Sequence, residues 1–139
     1  MRSILLIGIT FILAACGRDD LVSLPSTPNP SSISGSYQLT TVDGHDLPFL
    51  VLEIGAYQAR LLSGTLNLNA NGAYSFEFNV RLDDTGNPRM TSVTEVGSWN
   101  VTRDSITLVA TAGTLPRTGT VSGHVITLGS SNITMVLRK

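Results

Sequence analysis

The sequence predicts an all-β fold: an antiparallel up-and-down meander of eight to nine strands closing into a small barrel, behind an apolar leader and a flexible tether. Three observations carry this. From Gly35 onward apolar residues recur at every second position, the period of a strand with one buried face. The alternating runs are short and separated by turns bearing glycine, asparagine or proline. Charged residues make up only 14 % of the chain, against about 25 % in soluble domains, and Ser and Thr fill the solvent-facing positions instead.

The leader comes first. Arg2 precedes "SILLIGITFIL", an apolar run too short for a bilayer core of ~30 Å, which takes about 20 helical residues. It fits the apolar region of an export signal, positive end first. The tetrapeptide "LAAC" at 13–16 then resembles the lipobox of bacterial lipoproteins. That resemblance implies that the Cys16 thiol receives a diacylglyceryl group and that residues 1–15 are removed as a signal peptide. Cys16 is the chain's single cysteine, so the exported fold has no internal disulfide. At ~0.8 kcal/mol per buried methylene, one acyl chain holds reversibly and two hold stably, so a diacylated chain stays on the membrane. By the same resemblance, Gly17 rather than Asp after the cysteine points to the outer membrane.

Residues 16–34 hold the lipidated cysteine and the tether, "GRDDLVSLPSTPNPSSIS", with three prolines and no apolar periodicity. Its reach is about 25 Å as a coil and about 55 Å extended. The formal net charge of the whole chain is −1, and its basic residues are scattered. No basic stripe with interleaved aromatics is present, so nucleic acid is not an expected partner. The membrane is, through Cys16, and the protein is read as a monomer.

Residues 35–139 form the barrel domain. The clearest strand is "AYSFEFNVRL", with Tyr74, Phe76, Phe78, Val80 and Leu82 on one face. Before it, "GTLNLNANG" turns Leu66 and Leu68 inward and ends in Asn71-Gly72, the signature of a two-residue type I′ hairpin. "SVTEVGSWNV", "SITLVAT", "GTVSG", "VITL" and "NITMVLR" supply the later strands. The segment "LPFLVLEIGAYQARLLSG" carries apolar residues on both faces and reads as a strand bulged at Gly55 or as a crossover lid. A barrel removes exposed sheet edges, and eight strands leave room for side chains or one small ligand. A two-sheet sandwich is the alternative.

From "GSYQLTTVDGHDLP" through "MVLRK" the domain resembles the lipocalin-like, calycin-type domains of bacterial lipoproteins. Gly35-Ser36-Tyr37 stands where lipocalins carry Gly-X-Trp, and Arg138 stands where the family has an arginine packed across that aromatic. Gly97-Ser98-Trp99 repeats the Gly-X-aromatic pattern. The resemblance implies a barrel able to hold a small apolar or lipid-like ligand.

Catalytic motifs are missing: no Gly-X-Ser-X-Gly, no His-Glu-X-X-His, no phosphate loop. An enzyme is not expected, nor is a cofactor. His45 and His124 sit beside glycines at turns, and neither "DGHD" nor "LDDTGNP" has the spacing of a metal site. Cavity-lining candidates are Tyr74, Phe76, Phe78, Glu95, Trp99, Ile106 and Leu108. Glu95 depends on strand regularity. A regular strand points it inward, where a carboxylate needs a partner and would suit a polar or cationic ligand head. A β-bulge at Val96-Gly97, the preferred reading, would turn it out. Two functions follow: a tethered binding module, or a non-catalytic interaction or structural lipoprotein. In the second the core is packed and exposed loops act, for example as a protease inhibitor or envelope adaptor.

Overall fold

A computed structural model describes residues 30–139 apart from 114 and 131. Residues 1–29 lie outside it, and with them the expected signal peptide, Cys16 and most of the expected tether. After a single helical turn, α1 (Pro30–Ile33), ten strands follow: β1 (Gly35–Val42), β2 (His45–Asp46), β3 (Phe49–Ile54), β4 (Tyr57–Leu68) and β5 (Ala73–Asp84), then β6 (Asn87–Thr102), β7 (Ser105–Ala110), β8 (Arg117–Ser122), β9 (Val125–Ser130) and β10 (Ile133–Arg138). Every pairing is antiparallel and, from β3 to β10, sequential; β10 then pairs with β1. β1 also pairs with β4, Gly35 opposite Leu68 through Gln38 opposite Thr65, and this closes an eight-stranded barrel. β2 and β3 are the two extra strands, outside the closed ring.

Alternation carries the barrel wall. β5 buries Tyr74 and Phe76 while Glu77 and Arg81 face water, and β7 buries Ile106 and Leu108. The ambiguous segment resolves into a hairpin, with Gly55 in the turn between β3 and β4. The bulge expected at Gly55 sits instead between Leu61 and Ser63, where the register with β5 shifts. That one-residue shift moves the buried set from Ala59 and Leu61 to Gly64, Leu66 and Leu68, so apolar residues of both parities reach the core.

The 69–73 hairpin forms, but with a different turn. Gly72 N–H donates to the Asn69 carbonyl at 3.0 Å, and of the residues 70–72 only Gly72 has positive φ, at 85°. This is a three-residue connection. Two-residue turns with both φ values positive occur at Asp43-Gly44 and Thr85-Gly86.

One end of the barrel is closed and densely packed. Tyr37, Leu66, Phe76, Ile106, Leu108, Ile126, Leu128 and Leu137 are fully buried there or just above, each such side chain stabilising by about 1.5–3 kcal/mol. Ile33, assigned to the tether by the sequence reading, is buried in this core, and its carbonyl accepts the Tyr37 hydroxyl at 2.7 Å. The ordered fold thus takes in residues 30–34. The cation over the Tyr37 ring is Lys139, at 5.7 Å, with its Nζ donating to the Ser34 carbonyl. Arg138, expected in that place, is exposed, because as Leu137 turns into the core its neighbour must turn out.

The other end is open. β6 pairs with β5 from residue 87 but with β7 only from residue 97, so its first half stands beyond the rim with β3 and parts of β4 and β5.

Candidate functional site

A cavity of about 510 Å³ occupies the open end. Val42, Phe49, Val51, Leu61, Phe78, Ile133 and Met135 make its apolar wall, and Ser130, Asn132 and Arg117 supply polar groups. Among the described residues Arg117 is the single charged side chain in that lining. The wall continues past the rim. Opposed residues on neighbouring strands share a face, so Val93 (opposite Phe78) and Leu52 (opposite Ala59) extend the apolar surface, at 55 % and 44 % exposure.

Glu95 lies inside. The β5–β6 register runs from Ala73–Ser98 to Asp84–Asn87 without a shift, so the bulge expected at Val96-Gly97 is absent. Val96 faces solvent at 53 % exposure and Glu95 shares the inner face with Gly97 and Trp99. The physical reason is Gly97 itself, which makes room rather than a kink. A Cβ there would fall 2.0 Å from the Val109 carbonyl oxygen and 2.8 Å from the Tyr74 ring, so glycine lets β6 run regularly against both.

Glu95 Oε1 accepts two hydrogen bonds, from the Tyr74 hydroxyl at 2.7 Å and from Arg117 Nη1 in an ion pair. Burial pushes the Tyr74 phenol well above its ordinary value of 10.0. The Glu95 carboxylate raises it further, and the positive charge of Arg117 offsets part of that. Among the described residues Glu95 is the one hydrogen-bond partner of Arg117, which leaves its Nε and Nη2 donors without a protein acceptor. The ion pair retains 20 % exposure at Arg117 and 14 % at Glu95. The site is thus an apolar chamber with a compensated polar relay, Tyr74–Glu95–Arg117, at one wall. A cationic ligand head has no vacancy at Glu95, because Arg117 already fills that role.

Of the seven residues expected to line a cavity, Phe78 does. Tyr74 and Glu95 belong to the relay through their polar atoms. Phe76, Ile106 and Leu108 are packed in the core, and so is Trp99, whose indole N–H donates to the Asn69 carbonyl at 2.9 Å. Arg117 was missed because the strand was read as starting after it. Its parity with Gly119 and Val121 in "RTGTV" is the signal that places it inward.

The acidic turns have structural duties. Asp43 Oδ1 accepts the Thr134 N–H at 2.6 Å, and Asp83 pairs with Arg81 at 3.0 Å. At the closed end a second cavity, of about 670 Å³, lies beside Ile33, Asp104, Val121 and His124. Compared with known proteins, the chain matches no family model and no curated protein.

Proposed function

We propose that this is a lipid-anchored, non-catalytic binding protein of the cell envelope. Its barrel takes a small, mostly apolar ligand with one polar end into the open mouth. The observation that carries the reading is the cavity: an apolar wall of the volume typical for small-ligand sites, with one guanidinium in its lining that keeps unused donors. The calycin-type likeness noted in the sequence agrees with the closed eight-stranded barrel. Lipidation of Cys16 holds the domain at the membrane, on the outer membrane by the lipobox resemblance, with residues 17–29 as the tether.

The test is native mass spectrometry of the full protein isolated gently from its own envelope. A reproducible added mass that Leu61→Arg abolishes supports a carrier and identifies its cargo. A bare mass from every preparation turns the reading to the second one, an interaction protein. The exposed apolar surface at Leu52, Ile54 and Val93 favours that alternative. Cys16→Ser tests the anchor: the protein is expected to leave the membrane fraction.

A further inference from the structure

A ligand entering the open end meets apolar side chains on most sides and, among the described residues, a single cation, Arg117. Left alone, that cation would call for a carboxylate. It is not alone. Glu95 balances its charge, and burial together with Glu95 keeps the Tyr74 phenol protonated, so the relay is neutral as a whole. What remains on offer is hydrogen-bond donation without net charge: the Nε and Nη2 protons of Arg117, in a lining that also includes Ser130 and Asn132.

We propose, resting on the binding reading above, that the cavity selects amphipathic ligands whose polar end is an uncharged acceptor, an amide, ester or ketone carbonyl. It discriminates against the carboxylate of a free fatty acid. A carbonyl needs one donor and brings no charge, so Arg117 accommodates it without releasing Glu95. A carboxylate would share one guanidinium with Glu95, placing two negative charges against one positive charge in a partly dehydrated site. That arrangement costs a like-charge interaction and the stripping of water from the incoming anion. The relay therefore works as a filter on the ligand's charge, while the apolar wall and the surface beyond the rim accept a chain of variable length.

The experiment is competitive native mass spectrometry at neutral pH on the full lipidated protein. It is given an equimolar mixture of decanamide, methyl decanoate and decanoic acid, and bound species are counted by mass. The amide and ester are expected to outnumber the acid by about tenfold, the ratio of one modest like-charge contact. Glu95→Gln leaves Arg117 uncompensated and is expected to reverse the order in favour of the acid. Arg117→Met removes the guanidinium donors and leaves the Glu95 carboxylate in place, so it is expected to weaken amide and ester binding while still disfavouring the acid. An acid preference, or no preference, in the unaltered protein overturns the charge filter while leaving the binding reading intact. Failure of all three compounds to bind overturns the binding reading and the filter with it. Glu95→Gln binding the amide as selectively as the unaltered protein overturns the assignment of the filter to the relay.

Discussion

Removing the Glu95 carboxylate should cost far more stability than removing any other acidic side chain on this barrel. Two donors converge on one oxygen, Tyr74 from β5 at 2.7 Å and Arg117 from β8. A hydrogen bond to a charged group contributes about 1.5–3 kcal/mol. Stranding one member of a fully buried ion pair costs about 3–5 kcal/mol. Here both partners keep some exposure, so the second figure must be reduced and the two overlap. Glu95→Ala is therefore expected to cost about 3 kcal/mol. Glu95→Gln keeps an acceptor for Tyr74 and is expected to cost roughly half of that. Replacing all three with apolar groups (Tyr74→Phe, Glu95→Leu, Arg117→Met) should cost less than Glu95→Ala alone, because no polar group is left stranded. Urea unfolding followed through Trp99, the chain's single tryptophan, measures each value. The Tyr74→Phe/Glu95→Gln cycle should return a coupling of about 0.5–2 kcal/mol. A Glu95→Ala cost below about 0.5 kcal/mol, or additive single substitutions, would refute the relay.

Gly97→Ala should destabilise by about 1–3 kcal/mol or more. The atoms it meets at 2.0 and 2.8 Å include β7 backbone, which has to move. Gly123→Ala, whose Cβ would meet open space, is the comparison in the same unfolding assay and should lose less despite its positive φ of 58°. A Gly97→Ala protein as stable as the parent would refute the close strand approach. Stability should also fall at high pH. Burial raises the Tyr37 and Tyr74 phenols above 10.0, so the folded state holds their protons more tightly than the unfolded state does. Their contribution is intact below about pH 10 and is lost as pH climbs through the folded-state values. The phenolate absorbance of these two rings should rise together with the loss of native Trp99 fluorescence, and Tyr74→Phe should soften the decline. Ionisation of both rings in a protein with native fluorescence would contradict their burial.

Much of the barrel was legible in the chain because strand alternation is a local property. Tyr74, Phe76, Phe78, Val80 and Leu82 alternate whether or not the partner strands are known, and the resulting strand is the longest clean prediction borne out. Departures arose where a local rule met a packing constraint. Asn71-Gly72 has the composition of a two-residue turn, yet the Gly72 carbonyl accepts the Trp99 N–H from β6, and the connection widened to three residues. Leu61 and Leu62 looked like a two-faced strand because the bulge that separates them is defined by the register with β5, which no window of β4 contains. Ile33 looked like tether because one apolar residue beside prolines and serines has no period, and its burial depends on Tyr37 folding back over it.

The site divides the same way. By itself the sequence determined the all-β meander, the core aromatics and the lack of a catalytic motif, since these rest on composition and on neighbours a few residues apart. Tertiary structure decided which end of the barrel is filled and which is open. It also decided that Glu95 faces inward, and that its partners are Tyr74, 21 residues away, and Arg117, 22 residues away. Closure of β1 against β4 and β10 brings eight strands around one axis, so charge compensation inside it is settled between residues on β5, β6 and β8. A carboxylate and a guanidinium on separate strands carry no mark of each other in the chain. Only the barrel's curvature makes them one group.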